Sequence, residues 1–93
     1  MARIKHGTLV AATVATVTLT VDCRDVEVLN RTGDAEIFFT VDGSTPTVAG
    51  DNTHVLPAQI GSLIVAVPET GNTVVKLISS GTPSYAVEGI GTQ

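Results

Sequence analysis

Cys23 is the single cysteine of this chain, and His6 and His54 are its two histidines. A thiolate nucleophile needs an imidazole within hydrogen-bond reach. Neither histidine stands in a recognisable nucleophile motif, so the sequence offers no catalytic residue. A zinc centre needs Cys, His or carboxylate ligands at short spacing, and neither histidine has them, so both read as surface or strand-edge residues. A lone cysteine forms no internal disulfide, and the fold then does not depend on an oxidising compartment. Cys23 reads as a small core or strand-end residue. Asp22, Asp25, Asp34, Asp42 and Asp51 all lie at expected strand ends. Calcium takes six to eight oxygen ligands from clustered acidic loops, and this spacing supplies no such loop. The expectation is no metal, no cofactor and no enzyme activity on a small-molecule substrate. Asp42-Gly43-Ser44-Thr45-Pro46 has the look of a ligand loop but the chemistry of a turn, in which Asp tolerates left-handed geometry and Gly supplies it. Asn30-Arg31-Thr32 fits a glycosylation sequon, a triplet that matters only in a eukaryotic secretory setting.

Charge narrows the partners. Five Lys and Arg against nine Asp and Glu leave a net charge of −4. Nucleic-acid binding needs cations to neutralise phosphates, and two of the five, Arg3 and Lys5, sit at the extreme N-terminus, so no direct nucleic-acid role is expected. No stretch approaches the ~20 apolar residues of a membrane-spanning helix. Arg3 and Lys5 precede an apolar run at 9–17 like the start of a leader. However, Thr8, Thr13, Thr16 and Thr18 interrupt that stretch in strand-like alternation, so a strand is expected there instead.

These residues must be positioned by strands. Ninety-three residues suffice for one domain. Hydrophobic content is 43% against 15% charged, and the only aromatics are Phe38, Phe39 and Tyr85. An aliphatic core must carry the fold, at about 25 cal/mol per Å² of apolar surface buried, and small marginal cores gain from association. Val and Thr, both β-branched, favour strands. The clearest signal is 15–21, where apolar odd positions alternate with Thr. Further strands are expected at 4–10, 26–30, 35–41, 53–56, 62–67, 73–78 and 84–88, separated by Gly, Pro, Asp and Asn turns. Val17, Leu19, Ile37, Phe39, Val41 and Val65 should face inward, and Val26 and Val28 share one face of their strand. About eight short antiparallel strands without a sustained helical period imply an all-β domain over 1–93, a small β-sandwich of immunoglobulin-like or jelly-roll type. Residues 1–10 serve as a strand or as an arm held by a neighbouring chain.

Two apolar features are out of phase. Phe38 falls between the inward residues Ile37 and Phe39, and the run 63–67 is apolar on both faces. Either these strands are covered on both faces within the domain, or Phe38, Leu63, Ile64 and Val65 meet a partner, together with the basic Arg3 and Lys5.

Glu36-Ile37-Phe38-Phe39-Thr40-Val41-Asp42-Gly43-Ser44-Thr45-Pro46-Thr47 resembles a strand–turn signature of immunoglobulin-like domains found beside chitobiases. A longer stretch, 26–88, resembles the small β-sandwich virion proteins of tailed bacteriophages, particularly those of actinobacterial hosts. It includes Val-Glu-Val-Leu-Asn-Arg, Ile-Phe-Phe-Thr-Val-Asp-Gly-Ser-Thr-Pro-Thr, Val-Leu-Pro-Ala and Val-Lys-Leu-Ile-Ser-Ser-Gly-Thr-Pro-Ser-Tyr-Ala-Val-Glu-Gly. The resemblance implies a virion location, with assembly in the host cytoplasm, and a capsid decoration protein bound to the major capsid protein and to copies of itself. Lattice symmetry favours a trimer. The alternatives are a tail or head–tail junction protein, and a carbohydrate-binding module.

Overall fold

The structure, a computed structural model, describes residues 3–68 and 71–91. Among these, eight strands form: β1 (Ile4–Thr8), β2 (Ala15–Leu19), β3 (Asp25–Asn30), β4 (Ile37–Thr40), β5 (His54–Leu56), β6 (Gly61–Ala66), β7 (Thr73–Ile78) and β8 (Ser84–Ile90). No helix among the described residues is long and apolar enough to cross a membrane. The strands make two four-stranded sheets, ordered β1-β8-β3-β6 and β2-β7-β4-β5, with every pairing antiparallel. Each consecutive connection crosses from one sheet to the other, except the β4–β5 connection, which stays within the second sheet. That order is a jelly roll, the second of the two sandwich types open to the sequence.

Period-2 alternation explains the core. Val17 and Leu19 of β2, Ile37 and Phe39 of β4, and Val75 and Leu77 of β7 are buried from one sheet. Val26, Val28, Tyr85 and Val87 meet them from the other. Burying each such aliphatic side chain contributes about 1.5–3 kcal/mol. Of the expected inward set, Val65 is only half-buried, packed against the core's edge.

Strand ends depart from expectation where side chains have other duties. β1 stops at Thr8, short of the expected residue 10. The Leu9 N–H donates to the Pro83 carbonyl at 2.9 Å, and the Leu9 side chain turns into the core. Gly7 lies opposite Tyr85, and a Cβ there would come within 2.5 Å of the Tyr85 hydroxyl, so this place in β1 requires glycine. Buried Asn30 ties the turn after β3 to the loop before β6. Its amide donates to the carbonyls of Ala35 (2.9 Å) and Pro57 (3.1 Å), and its oxygen accepts from the Gly33 N–H (3.0 Å). The N-terminal strand is held by its own chain: β1 pairs with β8 from Ile4↔Glu88 to Thr8↔Ser84. Arg3 extends that contact, since its carbonyl accepts from the Gly89 N–H and its guanidinium donates to the carbonyls of Gly89 and Gly91. The described part of residues 1–10 is therefore a strand, the first of the two alternatives the sequence left open; Met1 and Ala2 lie outside the described residues.

Candidate interaction surface

The residues with chemical potential are kept apart. Cys23 is fully buried, and its thiol sits where a Cβ on Gly89 would collide with it. His6 is exposed on β1, at one end of the first sheet, and His54 is exposed on β5, at the far end of the second. The His54 ring lies 5.3 Å from that of Phe39, where it covers the core's edge. No nucleophile–base pair arises from these residues.

Most of the aspartates serve their own surroundings. Asp22 accepts from the Gly71 N–H, Asp34 from the Thr32 hydroxyl, and Asp25 pairs with Arg24 at 2.9 Å. Asp42 accepts from both the hydroxyl and the N–H of Ser44. The Ser44 side chain first, and then its N–H, hold the Asp42 carboxyl below the ordinary value. Asp42-Gly43-Ser44 is thus a turn, with Gly43 at φ +83°. Among the described residues, no three His, Cys, Asp or Glu side chains gather where they could hold a metal ion. The sequon asparagine, Asn30, is buried with its amide engaged, so it presents no acceptor nitrogen.

A cleft of about 290 Å³, counting its open mouth, lies at one end of the sandwich between Val41, Asp42, Gly43, Val67, Asn72, Thr73 and Val74. The Thr73 hydroxyl in it is buried without a partner. The cleft can hydrogen-bond a water, a common fate for buried polar groups.

Sugar stacking needs an exposed aromatic face. Phe39 is fully buried, and Phe38 and Tyr85 are only 7% and 8% exposed. Burial also pushes the Tyr85 hydroxyl above its ordinary pKa. The expectation that Phe38 offers surface to a partner is corrected here. It does point to the outer face of its sheet, paired with Ile78 and Val55. On that face Thr40 donates to the Ser44 carbonyl at 2.6 Å, which lays the start of the β4–β5 connection over the sheet, and Pro46 in that connection is fully buried.

The run 63–67 has the other outcome. Among the described residues β6 is the last strand of its sheet, paired only with β3. Leu63 and Val65 face inward, opposite Val28 and Val26, but at the rim of the sandwich, where Leu63 stays 37% exposed. Ile64 faces outward, opposite Glu27, and is 57% exposed. Ile60, just before β6, is 73% exposed, and Val55 on the adjacent β5 is exposed as well. One flank of the sandwich is therefore apolar. The opposite flank, at β1, carries exposed Arg3, Lys5 and His6 beside Ile4. Between the flanks, on the outer face of the first sheet, Glu27 and Glu88 lie directly opposite each other, with Asp25 two residues along from Glu27. Ser62 donates to Glu27 at 2.8 Å. Sequence reasoning missed this carboxylate pair, because the two residues are far apart in the chain and only strand pairing joins them.

No family model matches the sequence, and no curated protein matches it. Among solved structures, the chain is similar to one described as a family two carbohydrate esterase from Cellvibrio japonicus. The two share 14% identity at a TM-score of 0.49, over 96% of this chain. The chain spans 31% of the length of that one.

Proposed function

We propose that this chain is a structural virion protein of a tailed bacteriophage: a head decoration module that binds the outer capsid lattice and stabilises it, in contact with the major capsid protein and with copies of itself. The observation that carries this reading is the exposed apolar flank along β5 and β6, on a sandwich whose cysteine and buried asparagine serve its own core and turns. An exposed contiguous apolar patch marks an interaction site more often than not. The carboxylates on the outer face of the first sheet suit the outside of a shell better than a lining against DNA. The jelly roll itself does not choose among functions, since capsid proteins and lectins both use it. The burial of all three aromatics favours a protein-binding role over a sugar-binding one. Each contact with the lattice can be modest, because many linked copies act together.

The test is density in an intact particle of the phage that encodes the chain. Many equivalent copies over the head are expected. Copies confined to the tail, or a few at one vertex, would make it a tail or head–tail junction protein instead.

A further inference from the structure

An edge strand presents a row of unpaired N–H and C=O groups, and proteins blunt such edges with Lys, Pro, bulges or short length. Three of the four edges here are treated in that way or are polar. β1 carries Lys5 and follows Arg3, β5 has three residues and ends at Pro57, and β2 shows Thr16 and Thr18 on its outer face. β6 is different. Its sequence, Gly61-Ser62-Leu63-Ile64-Val65-Ala66, has no charge and no proline. It pairs with β3 in unbroken register from Asp25↔Ala66 to Asn30↔Gly61, so it contains no bulge.

The register also shows which backbone groups are open. The Val67 N–H donates to the Arg24 carbonyl just past the strand end. Antiparallel ladders alternate, so Gly61, Leu63 and Val65 bond β3, while Ser62, Ile64 and Ala66 direct their N–H and C=O groups to the free edge.

We infer that β6 is a homodimerisation edge, pairing antiparallel with β6 of a second copy about a twofold axis at Ile64. This register uses every outward group of the strand: Ile64 lies opposite Ile64 of the second copy, and Ser62 opposite the second copy's Ala66. The side chains then match as well. The two Ile64 residues meet on the outer face, and Leu63 meets the second copy's Val65 on the inner side. Such apolar cross-strand pairs are favourable, where like charges in the same places would not be. Each chain carries a net charge of −4, but the carboxylates nearest the axis are the two Glu27 side chains. Three strand spacings of about 4.8 Å put them roughly 14 Å apart, beyond the screening length of about 8 Å at physiological salt. A strand from another protein gains nothing particular here, because β6 offers no charge to select it. Twofold closure also consumes the edge, whereas head-to-tail pairing would leave another open. The dimer replaces the threefold association suggested by lattice symmetry. It does not rest on the virion reading: it is a property of the purified chain, and head binding is tested separately.

Pairing along one six-residue strand is a small interface, below about 1,200 Å², so a dissociation constant of roughly micromolar order is expected. Sedimentation velocity from about 1 to 500 µM, spanning that constant, should show a monomer–dimer equilibrium. Ile64→Lys and Ile64→Glu should each weaken it by at least about tenfold through like charges facing across the axis. An equimolar mixture of the two variants should dimerise again, because the twofold register puts opposite charges face to face. Circular dichroism should show both variants folded, since residue 64 is exposed. In the wild type, hydrogen exchange at Ser62, Ile64 and Ala66 should slow with concentration, while Leu63 and Val65, already bonded to β3, should not change. A wild-type chain that is monomeric throughout, or trimeric, would overturn the inference. So would a mixture that stays monomeric while each variant alone does too.

Discussion

Replacing Asn30 with Ala removes a side chain that three backbone groups depend on: the carbonyls of Ala35 and Pro57 and the N–H of Gly33. Asn30 is fully buried, so water does not reach the site freely. Each lost hydrogen bond costs about 1 kcal/mol net, and more where the remaining group stays buried and unpaired. Three such losses sum to roughly 3–4 kcal/mol. A domain of this size has a stability of about 5–14 kcal/mol, so the change removes about a fifth to four-fifths of it. At about 4–8 °C per kcal/mol, the melting temperature of Asn30→Ala should fall by at least 12 °C or so. Urea unfolding followed by far-UV circular dichroism measures the loss directly, provided the denaturant slope is unchanged. Thr16→Ala, on the exposed face of β2, is the control and should stay within about 0.5 kcal/mol of wild type. A loss below about 1 kcal/mol for Asn30→Ala would refute the reasoning, by showing that the three backbone groups find other partners.

Gly89→Ala should cost about 1–3 kcal/mol, because the added Cβ would collide with the Cys23 thiol. The double change with Cys23→Ala should recover part of the loss in a double-mutant cycle, and strict additivity would show that the collision is not the cause. The Asp42 carboxyl, held down chiefly by the Ser44 side chain, should titrate below its ordinary 3.8 by NMR, and Ser44→Ala should move the midpoint upward. A depressed folded-state pKa contributes stability that is present above the unfolded value of 3.8 and is lost as pH falls through the folded one. Asp42 is largely exposed, so the contribution is small and is confined to that acidic window. Thermal melts with and without chelator should superimpose, and a large drop on chelation would reveal an ion among the aspartate turns.

Residues 15–21 and 35–41 show how far local pattern reaches. Alternation placed Val17, Leu19, Ile37 and Phe39 inward, and all are buried. The same pattern placed Phe38 outward, as it is, but could not show that the connection after β4 folds back over that face. For Ile64 the same kind of reading ended differently, because none of the described residues returns to cover β6. Spacing also kept His6 and His54 apart, and they lie on β1 and β5, in different sheets. The Glu27–Glu88 pair was not legible, because its members lie on strands that are distant in sequence.

The sequence by itself determined that this chain is all-β, where most strands run, and which side chains face a core. Those properties follow from period-2 alternation, β-branched composition and turn chemistry, each of which acts within a few residues. Only the tertiary structure decided the neighbours. β1 pairs with β8, Ile4 opposite Glu88, and β6 is left at an edge with its outward groups open. A strand's own pattern tells its faces apart, but its edges carry the same N–H and C=O groups whatever the residues are. Which edge is filled depends on how the whole chain crosses between the two sheets.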